Sequence, residues 1–118
     1  MMLDWAKYRT ELATRIGELG RLSTGTVRGY RQLSDAGRTT NHLGAKTREL
    51  IALAVAVTRQ CDGCITTHVH AARKEGATAE EIAEALSVAV AVNAGAALIY
   101  SSRVMDAFAA EESAGEPT

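Results

Sequence analysis

Four side chains suited to thiol chemistry lie close together in the chain: Glu49, Cys61, Cys64 and His68. The thiols form a Cys-x-x-Cys pair, Cys61-Asp62-Gly63-Cys64, and His68 follows four residues later. In a helix starting near Asp62, Cys64 and His68 share a face, and Cys61 lies at or just before the first turn. The two thiols can then approach each other across the helix start. Unpaired N–H groups and the positive end of the helix dipole both favour a thiolate there, and the thiolate is the nucleophile. His68, one turn deeper, can take a proton from Cys64, directly or through a water. Glu49 precedes the pair on its own helix, where it can lie across a helical hairpin from His68, orienting the ring and raising its basicity. The chemistry this permits is attack of a thiolate on a peroxide oxygen. The sulfenic acid formed condenses with the second thiol to a disulfide.

Each residue also has a plainer reading. Glu49 alone suits a solvated or ion-paired position, and His68 a packing or capping one. His70 points to another side of the helix and reads as a surface residue, Asp62 as an N-cap, and Gly63 as a flexible link. Cys61, Cys64, His68 and His70 could be read as zinc ligands. Structural zinc, however, usually gathers two ligand pairs a dozen or more residues apart, and residues two apart on a helix do not face each other. A thioredoxin-like site needs a strand before the motif, and no strand pattern is present.

The elements that must position these residues are helical. Leu50 to Val57 is apolar all round, and with the charged lead-in Lys46-Thr47-Arg48-Glu49 and its alanines it predicts a largely buried helix over Gly44 to Gln60. The motif helix runs from about Asp62 to Glu75 and stops at Gly76. Thr78-Ala79-Glu80-Glu81 is a capping box opening a helix that carries Ile82, Leu86, Ala89, Val90 and Asn93. Ala94-Gly95-Ala96-Ala97 reads as a bend or a close approach, and Leu98 to Ala110 as a last helix. Upstream, Trp5, Tyr8, Leu12, Ile16 and Leu19 mark an amphipathic helix whose end Gly17, Gly20 and Gly25 loosen. A second helix spans about Thr26 to Ala36, and a polar connection follows from Arg38 to Leu43. Residues 1–110 form a single domain, and 111–118 a disordered tail.

Composition agrees with an all-α fold. The 118 residues include 22 alanines, one proline and five aromatics (Trp5, Tyr8, Tyr30, Tyr100 and Phe108), a mixture that favours helix throughout. Small side chains bury little area each, so burial between subunits is expected. A formal net charge of −1 argues against a nucleic-acid partner and against a polybasic membrane surface. The first residues carry charges where a signal peptide needs an apolar run. Leu50 to Val57, the longest uninterrupted apolar stretch, is too short to span a membrane. The expected location is the cytoplasm, with no membrane attachment. In that reducing compartment a cysteine pair is catalytic or metal-binding rather than a staple.

The segment from Lys46 through Cys64 into Ile65-Thr66-Thr67-His68 resembles the carboxymuconolactone decarboxylase superfamily, and within it the alkylhydroperoxidase D-like branch. The spacing of Glu49, Cys61, Cys64 and His68 matches that branch's Glu…Cys-x-x-Cys-x-x-x-His motif without insertion. The start of the next helix, Gly76-Ala77-Thr78 with Glu80-Glu81, is also similar, and the likeness covers about Leu43 to Tyr100. The resemblance implies an all-α fold with a central antiparallel helix pair, assembled as a homotrimer or homohexamer. It implies peroxidase or thiol–disulfide oxidoreductase activity on a hydroperoxide, with no cofactor and no metal. Cys64 would attack, Cys61 resolve, and Glu49 with His68 relay the proton. A dithiol reductant such as a lipoyl-bearing protein would restore the thiols. One departure stands out: the peroxidases of this branch carry a further histidine between the cysteines, where this chain has Asp62-Gly63. The decarboxylase branch generally lacks the cysteine pair, which disfavours a lactone decarboxylase using His68 and Glu49. A zinc-binding or redox-sensing module without turnover is the other alternative.

Overall fold

The computed structural model describes residues 1–115 of the chain. They form five helices: α1 (Trp5–Leu22), α2 (Thr24–Thr40), α3 (Ala45–Thr58), α4 (Asp62–Lys74) and α5 (Ala79–Ala114). No strand occurs among the described residues, and the fold is all-α. The centre is the pair α3 and α4, with α5 packed on α3 and α1 packed on α4, while α2 folds back on α1.

The turn between α3 and α4 is built by the backbone. Gln60 adopts the left-handed region with φ 52°. The N–H of Gln60 then donates to the carbonyl of Val57, and that of Cys61 to the carbonyl of Ala56. This pair of bonds is a Schellman motif, which satisfies the last carbonyls of α3 and reverses the chain at once. The same motif closes α4, with Gly76 at φ 82° and bonds from Gly76 to Arg73 and from Ala77 to Ala72. The stop expected at Gly76 is therefore present, and α4 runs antiparallel to α3.

Thr78 caps α5 in the capping box read from the sequence: its hydroxyl accepts from the Glu81 N–H, and Glu81 accepts from the Thr78 N–H at 3.0 Å. The other Glu81 oxygen holds the Lys46 ammonium of α3 at 2.8 Å. Lys46 and the Thr78 N–H, in that order, hold the Glu81 carboxyl below its ordinary range. The folded state therefore binds this proton more weakly than the unfolded state, and stability rises with pH across the window. The contribution is complete above the ordinary carboxylate value and is lost as the pH falls through the lowered one. Glu81→Gln keeps a capping side chain and removes the charge, so it is expected to flatten the acid limb of stability against pH. Urea midpoints between pH 3 and 6 check this, and an unchanged acid limb would refute it.

Several boundaries differ from the sequence reading. The first helix passes through Gly17 and Gly20 to Leu22, because Gly20 lies where a Cβ would meet Val27 of α2 at 3.6 Å, a seat between packed helices. The second begins at Thr24 and passes Gly37, ending at Asn41, whose left-handed φ of 49° supplies the stop. No bend interrupts α5 at Ala94–Ala97. One glycine costs about 1 kcal/mol in a helix, too little to break a run otherwise rich in the best helix former. The expected last helix and the one before it are thus one element of 36 residues. Residues 111–114 belong to it rather than to a tail, and 116–118 lie outside the described residues. As a continuous helix, α5 is long and apolar enough to cross a membrane by length and composition, although Ser87, Asn93 and the Ser101–Ser102 pair interrupt its apolar runs.

Burial is sparse. Among the described residues, Leu53, Ala56, Thr66, Ala72 and Ala89 are the buried ones. The expectation of a largely buried α3 is corrected: one face lies between α4 and α5, while Ile51 and Val55 are half exposed. The accessible surface is 9436 Å², against about 6200 Å² for a typical folded monomer of this mass. The radius of gyration is 20.3 Å, where a compact chain of this length has about 13–14 Å.

Candidate active site

The Schellman turn delivers Cys61 to the N-cap of α4. The sequence predicts Asp62 as the N-cap, and Asp62 is instead the first helical residue, exposed to solvent. Its carboxylate complements the helix dipole and partly offsets the positive end that favours a thiolate. Cys61 and Cys64 form a disulfide, with Cα atoms 5.3 Å apart. The Cys64 N–H donates to Cys61 Sγ at 3.2 Å, so sulfur takes the place of the usual capping oxygen. Both cysteines are part-buried.

One turn beyond Cys64, His68 Nδ1 meets Glu49 Oε2 at 2.6 Å. The two side chains are 29 % and 19 % exposed, so water screens the pair only in part. An ionised carboxylate can only accept, which places a proton on Nδ1 and leaves Nε2 as the basic nitrogen. The hairpin thus brings Glu49 to His68 and, one turn along the same helix, Cys64. His70 is exposed and outside this group. Arg9 first, then desolvation, Lys74 and Arg73 depress its pKa, which favours the neutral ring. Among the described residues, no three His, Cys, Asp or Glu side chains gather as metal ligands.

Two supports escaped the sequence reading. Thr66, buried on α4, donates from Oγ1 to the Trp5 carbonyl at 3.2 Å and ties the motif helix to the start of α1. Asn93 of α5 donates to Thr58 Oγ1 at 2.8 Å, fixing the end of α3 just before the turn. Asn93 is signalled only as a polar residue amid apolar neighbours, and Thr66, followed by Thr67 and His68, carries no signal. A third was present but misread. A Cβ on Gly63 would stand 2.8 Å from Leu12 Cδ2 of α1, so Gly63 is a packing glycine rather than a flexible link. The apolar stripe of α1 and a glycine inside the motif were its two signals.

The Leu12 side chain of α1 thus lies where any side chain at position 63 would begin. Gly63→His is expected to cost about 1–3 kcal/mol through overpacking. Adding Leu12→Ala should recover part of that loss, because residues in contact are not additive. A denaturation cycle over the four proteins measures the coupling, and strict additivity would rule the contact out.

The fold and site define a helical chain that presents a Cys-x-x-Cys disulfide at the start of one helix of an antiparallel pair, beside a Glu–His pair. Residues 25–107 match the model of the carboxymuconolactone decarboxylase family, and the chain belongs to that family. It is 43 % identical over 112 residues to an uncharacterized protein of Haemophilus influenzae, covering 95 % of this chain and 99 % of that one. A protein of the cox locus in Paracoccus denitrificans is 39 % identical over 90 residues, 76 % of this chain and 81 % of its own. The apo crystal structure of a carboxymuconolactone decarboxylase family protein from Legionella pneumophila superposes with a TM-score of 0.71. It is 33 % identical and covers 88 % of this chain and 93 % of its own. The cysteine pair is consistent with the alkylhydroperoxidase D-like branch.

Proposed function

We propose that the protein is a thiol-dependent peroxidase or disulfide oxidoreductase that reduces hydroperoxides. The observation that carries this reading is the Cys61–Cys64 disulfide at the start of α4, one turn from the 2.6 Å Glu49–His68 pair. Cys64 thiolate attacks the terminal oxygen of ROOH, the O–O bond breaks, and the departing alkoxide takes a proton to leave as ROH. Cys64 is now a sulfenic acid. The Cys61 thiol attacks its sulfur, the S–O bond breaks, and the hydroxide leaves as water with the proton of Cys61. His68, oriented by Glu49, accepts and returns these protons. Two thiols are oxidised and one peroxide is reduced. A dithiol donor, for which a lipoyl-bearing protein is suitable, exchanges with the disulfide to restore the thiols.

In this reading the protein works in the cytoplasm as a homotrimer or homohexamer, without nucleic acid, membrane, cofactor or metal. The large exposed apolar surface supports self-assembly. Intact mass after alkylation of reduced protein tests the chemistry, before and after one equivalent of an organic hydroperoxide. Loss of both alkylation sites with a two-hydrogen mass decrease, reversed by a dithiol, is expected. Thiols that remain alkylatable after peroxide would overturn the reading. Thiols that resist alkylation until a chelator is added would assign the pair to zinc.

A further inference from the structure

Beyond Gly95, α5 leaves the rest of its chain. Every described residue from Ala96 to Gly115 is exposed, so the helix continues as an arm for about 30 Å. Its sequence does not suit a free surface helix. Tyr100, Val104 and Phe108 recur at every fourth residue, Leu98, Ile99 and Met105 turn away from that row, and these six side chains are 60 % to 75 % exposed. An apolar stripe of this length calls for a covering surface. The end of the arm is acidic: Asp106, Glu111 and Glu112 follow Arg103, and the last turn carries no basic residue. Carboxylates at the negative end of a helix dipole are unfavourable unless cations meet them.

A complementary surface lies on α1 and α2. Between α1 and α2 runs a groove of about 420 Å³ whose lining includes Ile16, Val27, Arg21, Arg28 and Arg31, with Asp35 as its one carboxylate, paired to Arg38. The ion pairs among the described residues engage Arg15 and Arg38 but none of these three. The outer face of α2 adds Leu33, 76 % exposed. Within one chain α5 packs on α3 and α2 packs on α1, so arm and groove are not partners there. The surface excess over a typical monomer, roughly 3000 Å², is several times the ~800 Å² per partner of a standard interface.

We propose that the α5 arm of one copy docks in the α1–α2 groove of a second copy, with its apolar stripe on Ile16 and Val27 and its acidic end against Arg21, Arg28 and Arg31. This rests on the self-assembly part of the proposed function and is independent of the thiol chemistry. Exchanged arms make each copy both donor and acceptor, so the same contact can link further copies.

Light scattering on the full-length reduced protein at micromolar concentration, with charge-reversal variants, tests the pairing. Wild type is expected at a multiple of 12.5 kDa. Arg28→Glu with Arg31→Glu, and separately Glu111→Arg with Glu112→Arg, should each raise the dissociation constant at least tenfold. All four changes together should restore assembly, which a merely misfolded variant would not do. Oligomers that ignore both reversals, or a combination that fails to recover, would overturn the arm–groove contact. A monomeric wild type would overturn it too, and flotation of that monomer with phosphatidylcholine vesicles would assign the arm to a membrane. Peroxide-driven loss of thiols, measured in the same samples, separates this failure from that of the redox reading.

Discussion

Cys64→Ser is expected to abolish hydroperoxide turnover, by about 10³-fold or more, while leaving the helical fold intact. Serine has a similar volume, and the helix start that favours a thiolate gives no comparable ionisation of a hydroxyl near neutral pH. Cys61→Ser should fail differently. Its Cys64 reacts once with peroxide and stops at the sulfenic acid, because no thiol stands across the helix start to condense with it. A sulfenic-acid probe followed by peptide mass mapping distinguishes the two variants. Adduct on Cys61 in Cys64→Ser, and none on Cys64 in Cys61→Ser, would reverse the assigned roles. Full activity in Cys64→Ser would move the chemistry to His68 and Glu49 and make the cysteines incidental.

The second large effect is expected at the Glu49–His68 pair. His68→Ala should slow the reaction of Cys64 with peroxide by about 10²–10⁴-fold, the usual range for removing a general base. Glu49→Gln preserves shape but changes the hydrogen-bond logic. A glutamine can turn its amide N–H toward Nδ1, which draws the ring proton to Nε2 and removes the basic nitrogen from use. Its loss should approach that of His68→Ala, and the double variant should be little worse than either, because the two act as one unit. Stopped-flow oxidation rates across pH 6–9 measure both size and coupling. Losses that multiply in the double variant would show that the carboxylate and the ring act independently of each other.

The central hairpin was legible because its information is local. Gly76 and the Thr78–Glu81 box act within a few residues, and the spacing from Glu49 to Cys61 to His68 determines which side chains meet once the chain reverses at Gln60. The same locality misled at Gly95, whose small penalty is outweighed by its neighbours on both sides. The Leu12–Gly63 contact joins distant segments, so no local pattern around position 63 reports it. The half-exposed face of α3 was misjudged for another reason. An apolar pattern says that a face needs covering, but not whether the same chain supplies the cover.

The disulfide closes a ring between residues separated by only three positions. Cross-links restrict the unfolded chain in proportion to the logarithm of the loop they close, so a ring this small contributes about 2 kcal/mol where a loop of a hundred residues gives nearly 5. The Schellman turn and the Thr66–Trp5 bond hold the helices in place without it. Opening and closing the bond therefore asks little of the scaffold. Oxidised protein should melt roughly 8 °C above reduced protein, and electrons can enter and leave without the chain having to refold around them.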